Sequence, residues 1–171
     1  TPTTSSAASD VYKRQRLGIV GAPRVEKDVQ LVIDAVHRCD RDDIALYVGC
    51  LDGERVPDDP RITAIARRHL PIAEYVDQVA ACDALVLPYA PSGMLTTGVV
   101  ADVIAGGRAA VTSPWPYLDE SLGDAAIGYD GTVDGLVEVL ETLSPDDIAR
   151  SAAAAADRRA ITEPAVVAQA H

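Results

Sequence analysis

Short apolar runs alternate with longer segments in which apolar residues recur every three or four positions, from residue 16 to about residue 160. A short apolar run bounded by turn residues is typical of a buried strand, and the longer repeat is typical of an amphipathic helix. The pattern predicts strands at residues 17–20, 44–49, 61–66, 84–87, 109–112 and 125–128. It predicts helices at residues 26–38, 71–82, 98–105, 116–122, 132–143 and 144–159.

This alternation predicts an α/β fold: a Rossmann-like, doubly wound parallel sheet of about six strands with helices on both faces. The run Ala-Leu-Val-Leu at residues 84–87 is apolar throughout, as expected for a strand covered on both faces. In such sheets, ligands bind at the carboxyl ends of the strands, near the point where the strand order reverses. We therefore expect the binding site in the loops at residues 21–27, 67–71, 88–98 and 113–117.

The helical segments carry local signals of their own. Ser144, followed by Pro145 and two acidic residues, is typical of a capped helix start. In the helix at 26–38, the apolar spacing predicts an inward face of Val29, Val32, Ile33 and Val36. In the helix at 71–82, it predicts an inward face of Ile72, Tyr75, Val76 and Val79.

A loop of small residues at 92–98 lies between two predicted strands and leads into the helix at 98–105. The first turn of a helix has unpaired backbone N–H groups and the positive end of the helix dipole, which together favour an anion such as a diphosphate. Gly98 keeps this helix start open. Backbone donors to the anion would come from Ser92, Gly93, Thr96 and Thr97. The alternative is an ordinary loop that feeds a helix.

Asp102 lies one turn into the same helix and is a candidate acceptor for sugar hydroxyls. A nucleotide-sugar would use this carboxylate and the helix start together. The alternative interpretation is an exposed acid without a ligand. Trp115, at the end of a predicted strand, is either a wall of the cleft or part of the core.

Basic residues near the expected site are few. Lys27 lies at the start of a predicted helix whose dipole it would oppose, so a phosphate contact is one explanation, with Arg24 as a second contact. Arg67 and Arg68 follow the third strand and would line the same cleft. For all four residues, the alternative is a solvated surface position.

The net charge of −11 argues against nucleic acid or an anionic membrane as the main partner. Cys39, Cys50 and Cys82 have no disulfide or zinc spacing, which favours buried thiols in a reducing cytoplasm and no metal site. No apolar run approaches the length of a transmembrane segment. The patterns G-x-G-x-x-G and G-K-S/T are also missing, which argues against the dinucleotide and P-loop classes.

Residues 5–15 resemble translated sequencing-adapter sequence of the kind that contaminates genes predicted from metagenomic reads. We therefore expect residues 1–15 to be a disordered, non-native leader. Residues 16–171 would then form the nucleotide-sugar-binding domain, a fragment truncated at both ends relative to its full gene.

Three segments resemble the C-terminal, donor-binding domain of GT-B glycosyltransferases, in particular the retaining group often called family 4 or group 1. Residues 21–36 are similar to the family segment G-R-x-x-x-E-K-G-x-x-x-L-I-x-A. Residues 75–88 are similar to L-x-x-x-x-A-D-x-x-V-x-P. Residues 92–114 cover the family stretch with two glutamates seven residues apart, followed by A-x-G-x-P-V-V-x-S. The order and spacing of the three segments make the resemblance more specific than any one of them.

The resemblance implies a retaining, metal-independent glycosyltransferase that uses a nucleoside-diphosphate sugar as donor substrate and needs no cofactor. Lys27 matches the lysine that binds the donor diphosphate, and Asp102 matches the second glutamate, which usually holds the ribose hydroxyls. The loop from Gly93 to Thr97 matches the one that meets phosphate and sugar. The base would lie near Arg67 to Leu70. The acceptor site would belong to an N-terminal domain of the same polypeptide.

Two positions depart from the family pattern. Ala22 stands where the family has an arginine, and Met94 stands at the first glutamate. These changes motivate an alternative from another class, a non-catalytic binding or scaffolding module on the same fold. An unrelated doubly wound nucleotide-binding domain is the third possibility, since a fold does not determine a function.

Overall fold

The computed structural model describes residues 14–66, 70–90 and 96–162, which form a six-stranded parallel sheet with helices. The strand order is β3-β2-β1-β4-β5-β6, and every neighbouring pair is parallel. The strands are β1 Gln15–Ile19, β2 Ile44–Leu51, β3 Ile62–Ala66, β4 Ala84–Leu87, β5 Ala109–Thr112 and β6 Ala126–Gly128. The helices are α1 Val29–Arg38, α2 Ile72–Ala81, α3 Val99–Gly106, α4 Pro116–Leu122, α5 Val133–Thr142 and α6 Pro145–Thr162. The predicted fold class and element order are confirmed.

Helices cover both faces of the sheet, and successive residues of a strand point into two separate cores. In β4, Ala84 and Val86 belong to the core beneath α1 and α5. Leu85 and Leu87 belong to the core formed with α3, α4 and α6. Burial on both faces explains why the central strands are short, uninterrupted apolar runs.

The start of α1 lies three residues later than predicted. Asp28 caps the helix, and its Oδ1 accepts a hydrogen bond from the backbone N–H of Leu31 at 3.0 Å. Lys27 instead forms an antiparallel bridge with Tyr89. The apolar repeat could not reveal this boundary, because Lys27 is itself buried and sits in the loop that enters the helix.

The predicted inward face of α2 is wrong at two positions. Ile72 is 76% exposed and Val76 is 55% exposed, whereas Val79 is buried and Tyr75 is half-buried. The contacts between α2 and α3 run along one edge, where Tyr75 reaches Asp102 and Val79 lies beside Gly106. The apolar repeat gave the direction of the covered face but overstated its width.

Both ends of the described chain extend past the predicted elements. Gln15 belongs to β1, where its N–H donates to the carbonyl of Asp43 at 2.8 Å and its side chain donates to the carbonyl of Leu143. The strand therefore begins inside the range expected for the leader, while residues 1–13 lie outside the described part. At the other end, α6 begins as predicted, with the Ser144 hydroxyl accepting from the N–H of Asp147 at 3.1 Å. This helix continues to Thr162, past the predicted end at residue 159.

Candidate functional site

Two of the predicted site residues, Lys27 and Asp102, lie where the strand order reverses. β1 pairs with β2 on one side and with β4 on the other, so the connections that leave β1 and β4 diverge at their carboxyl ends. Lys27 follows β1, and Asp102 lies in the first turn of α3, after β4. This is the place where ligands bind in open α/β sheets.

Lys27 is buried, with 6% of its surface exposed. Its ammonium donates to the carbonyl of Val20 at 2.8 Å and to the carbonyl of Ala22 at 3.0 Å. It also lies 5.7 Å from the centre of the Tyr89 ring. Burial is the main cause that lowers the Lys27 pKa, and the nearby charge of Arg24 lowers it further. A third N–H of the ammonium is not used by any described residue.

Among the described residues, no carboxylate forms an ion pair with Lys27. Asp102 is near enough for its charge to raise the Lys27 pKa, but burial outweighs this effect. A buried charge without a counter-charge is unfavourable, and an anion beside the ammonium would reverse that cost. The arrangement is therefore suited to an anionic ligand.

The loop between β1 and α1 closes tightly around this ammonium. Gly21 has a φ of +86°, a conformation that favours glycine. A side chain at Gly21 would come within 3.2 Å of Val99 in α3 and 3.5 Å of Lys27 Nζ. The loop is tied to the end of β4, since Ala90 N–H donates to the carbonyl of Glu26 at 2.7 Å.

Asp102 is half-buried, and its Oδ2 accepts a hydrogen bond of 2.6 Å from the hydroxyl of Tyr75. The apolar spacing of α2 predicts only a packing role for Tyr75. Burial raises the Tyr75 pKa, and the hydrogen bond to Asp102 raises it further. The one available signal was a tyrosine on an otherwise apolar helical face, which is the usual way to bring a hydroxyl to a buried partner.

At the start of α3, the Thr97 hydroxyl already has a hydrogen-bond partner, whereas Gly98 has no side chain. Thr97 is buried, and its Oγ1 donates to the hydroxyl of Tyr89 at 2.8 Å. Gly98 is the N-cap residue, with an ordinary φ of −65°. A Cβ atom added there would meet no atom of the described residues within 4 Å. The side chain of Thr97 therefore packs behind the site, and none of the described residues covers Gly98.

The other predicted contacts fall in three groups. Arg24 and Thr96 are exposed at the edge of the site, and Leu70 is partly buried ahead of α2. Trp115 is 7% exposed and packs against Tyr89, with ring centres 5.8 Å apart, so it belongs to the core. The remaining predicted contacts lie outside the described residues: Arg67, Arg68, Ser92, Gly93 and Met94.

The described residues contain neither a metal-binding cluster nor a membrane-spanning helix. No group of three or more histidine, cysteine, aspartate or glutamate side chains in this part of the chain is arranged to hold a metal ion. Cys39, Cys50 and Cys82 are buried and free, as predicted. No helix within the described ranges has both the length and the apolar character needed to cross a membrane.

Comparison with known proteins gave matches among solved structures only, because neither the protein-family models nor the curated proteins match the sequence. HepE from Anabaena, solved with UDP and glucose, superposes with a TM-score of 0.65 at 20% identity, over 87% of this chain and 43% of HepE. Sucrose-phosphate synthase from Thermosynechococcus elongatus gives 0.66 at 13% identity, over 93% of this chain and 44% of the synthase.

A third solved structure is the C-terminal domain of a glycosyl transferase group 1 family protein, LpcC, from Francisella tularensis. It gives a TM-score of 0.62 at 17% identity, over 86% of this chain and 85% of that domain. The chain therefore spans less than half of the two longer proteins but most of this isolated domain. Its fold is that of the C-terminal half of GT-B glycosyltransferases, in agreement with the resemblance found in the sequence.

Proposed function

We propose that this chain is the donor-binding half of a glycosyltransferase, which binds a nucleoside-diphosphate sugar for transfer to an acceptor. The observation that carries the proposal is the buried ammonium of Lys27 at the switch point, held by backbone carbonyls and without a carboxylate partner in the described chain. A diphosphate would supply the missing counter-charge. The presence of UDP in the HepE structure, which has the same fold, supports a nucleotide ligand.

In this proposal, each group has one task. Lys27 neutralises the donor diphosphate, with Arg24 adding positive charge from the exposed side of the loop. The N–H groups at the start of α3, at residues 96–98, bind the same anion together with those of residues 92–94. Because the diphosphate gains charge as it leaves the sugar, donors placed there stabilise the transition state more than the ground state.

Asp102 accepts hydrogen bonds from the ribose hydroxyls, and the base lies near Leu70 with Arg67 and Arg68. The acceptor is bound by an N-terminal half of the same polypeptide. The reaction proceeds with retention and without a metal ion, in the cytoplasm. This chain alone then binds nucleotide but does not transfer sugar. A non-catalytic module remains the second candidate, motivated by Ala22, which is exposed and brings no positive charge to the loop.

Calorimetric titration of the full chain with UDP, GDP and ADP tests the proposal. We expect saturable binding of one nucleotide. Lys27→Met and Asp102→Asn should each weaken it by about 1–3 kcal/mol, the usual cost of losing a charge-assisted hydrogen bond. Arg38→Met is the matched control, since Arg38 lies at the end of α1 and pairs with Asp134 on the surface.

Each result decides between the candidates. Absence of binding by a chain that circular dichroism shows to be folded would contradict the donor-binding proposal. Binding that is unaffected by both site variants would move the nucleotide elsewhere on the molecule. Sugar transfer by this chain alone would contradict the assignment of the acceptor site to another domain.

A further inference from the structure

We propose that Tyr75 is a positioning residue that holds the carboxylate of Asp102 in its ligand-binding orientation. The inference rests on the proposed function, because it concerns how the site presents Asp102 to a nucleotide. It adds a residue from α2 to the pair formed by Lys27, after β1, and Asp102, after β4. The observation behind it is the 2.6 Å hydrogen bond from the Tyr75 hydroxyl to Asp102 Oδ2.

Tyr75 reaches into the site. Its hydroxyl lies 3.9 Å from the position that a Cβ atom would take at Gly21, and Lys27 Nζ lies 3.5 Å from the same position. The tyrosine hydroxyl and the buried ammonium thus both lie near the point that a side chain at Gly21 would occupy. A hydroxyl group in that place contacts the same cleft that the diphosphate would occupy.

The hydrogen bond gives the two oxygens of the Asp102 carboxylate different roles. Within the described residues, Oδ2 is bonded to Tyr75, and Oδ1 has no hydrogen-bond donor. A tyrosine hydroxyl has one proton to donate, and here that proton fixes one oxygen while the other stays available as an acceptor. A side chain held before the ligand arrives loses less freedom on binding, which strengthens the complex.

The charge of the pair also suits this task. Tyr75 is neutral when it donates, so Asp102 keeps its full negative charge for a hydroxyl ligand. Burial and the neighbouring carboxylate both raise the Tyr75 pKa, so the phenol stays protonated at neutral pH. An arginine or lysine in the same place would neutralise Asp102 and would bind the diphosphate in competition with Lys27.

The packing of α2 argues against a role in the core alone. Ile72 and Val76, on the same helix, are mainly exposed, so this part of α2 is not a tightly covered face. A phenyl ring at position 75 would keep the packing of Tyr75 against the core that contains Val99 and would lose only the hydroxyl. The hydroxyl itself therefore has its main partner in Asp102.

The test compares Tyr75→Phe with the wild-type chain by calorimetry. The probes are UDP and 2′,3′-dideoxy-UDP, or the corresponding GDP or ADP pair if the first titration selects that nucleotide. We expect Tyr75→Phe to weaken binding of the ribonucleotide about fivefold to tenfold, as for one lost hydrogen bond, and to leave binding of the dideoxy form unchanged. A residue that only supports the fold would weaken both. Tyr117→Phe is the matched control for loss of a tyrosine hydroxyl away from Asp102.

A double-mutant cycle adds a second readout. In the Asp102→Asn background, Tyr75→Phe should have no further effect on ribonucleotide binding. Equal affinity of wild type and Tyr75→Phe, or an equal loss for both nucleotide forms, would overturn this inference while leaving the proposed function intact. A wild-type chain that binds no nucleotide would overturn the proposed function and this inference with it, and the wild-type titration alone identifies that case.

Discussion

The two edges of the sheet treat charged side chains differently. At the amino edge, Arg61 precedes β3 and pairs with Asp59, and the guanidinium also donates to the carbonyls of Cys39 and Arg41 at 2.7 and 2.6 Å. Arg41 in turn pairs with Asp43, which precedes β2. Both of these arginines thus have a carboxylate and one or more carbonyls as partners.

At the carboxyl edge, the charges are held by neutral groups instead. Lys27 is bonded to two carbonyls, and Asp102 is bonded to a tyrosine hydroxyl. The two charges do not pair with each other. The difference indicates that these pairs at the amino edge stabilise the fold, whereas Lys27 and Asp102 at the carboxyl edge fit the proposed binding of a ligand. Four predictions test this contrast.

The largest effect is expected at the amino edge. Arg61→Met removes the donor to three backbone carbonyls and leaves the Asp59 carboxylate, with a side chain that is 5% exposed, to pair with His37 alone among the described side chains. We expect the free energy of unfolding in urea to fall by about 3 kcal/mol, as for other broken buried pairs. Arg38→Met, at a surface pair, should change it by less than about 0.5 kcal/mol. Nucleotide affinity should be unchanged in both variants. A loss of affinity in Arg61→Met would contradict the contrast between the two edges.

The next effect depends on pH. The hydrogen bonds from Arg61 hold the Asp59 pKa far below its usual value of 3.8. Because the folded pKa is lowered, the stabilisation is present above the unfolded pKa and is lost as the pH falls through and below 3.8. Asp59→Asn should therefore be less stable than wild type by about 2 kcal/mol at pH 7, with the gap shrinking below pH 4. Urea unfolding of wild type and Asp59→Asn at pH 7 and below pH 4 checks this. A stability difference that does not change with pH would contradict it.

At the carboxyl edge, a charge deletion should cost far less stability. Lys27→Met removes two hydrogen bonds but also an unfavourable buried charge, so the net change at pH 7 should stay within about 1 kcal/mol. The folded pKa of Lys27 lies below its ordinary value of 10.5, so the unfolded chain binds the proton more tightly. Wild-type stability should therefore rise relative to Lys27→Met as the pH increases toward 10.5. Parallel unfolding curves at pH 7 and pH 10 measure this difference, and a difference of the opposite sign would contradict it.

The smallest stability effect is expected at Gly98. Its φ of −65° suits alanine, and a Cβ atom there meets no atom within 4 Å in the part of the chain that the structure describes. Gly98→Ala should thus leave the unfolding free energy unchanged or raise it by about 0.5 kcal/mol. If the diphosphate approaches the start of α3, the added methyl group should weaken nucleotide binding several-fold. A stable variant with wild-type affinity would show that the ligand does not pass over Gly98.

The sequence was sufficient to predict the architecture because periodicity reports burial directly. Every predicted strand and helix is present, and boundaries differ by a few residues where a loop side chain such as Lys27 is itself buried. The exposure of Ile72 and Val76 could not be predicted. An apolar repeat shows which face of a helix is covered, but not how much of that face the neighbouring helix covers. The assignment of Lys27 and Asp102 to one end of the sheet followed from the same alternation.

The partners of the site residues were beyond the sequence. Tyr75 and Asp102 belong to different helices, and nothing in their spacing indicates that a hydroxyl of one meets an oxygen of the other at 2.6 Å. The carbonyls that hold Lys27 come from a loop whose shape depends on the positive φ of Gly21. Such contacts are decided by tertiary packing, which local patterns do not encode.

The position of Trp115 makes intrinsic tryptophan fluorescence a probe of the candidate site. It is the only tryptophan in the chain, so its emission can be excited without interference from a second indole. Its ring packs against Tyr89, which lies over the Lys27 ammonium and accepts a hydrogen bond from Thr97. A ligand that draws the ammonium or the start of α3 toward itself would shift this aromatic stack. The emission of Trp115 should therefore change when a ligand occupies the cleft. No label is needed, and Trp115 itself does not contact the ligand.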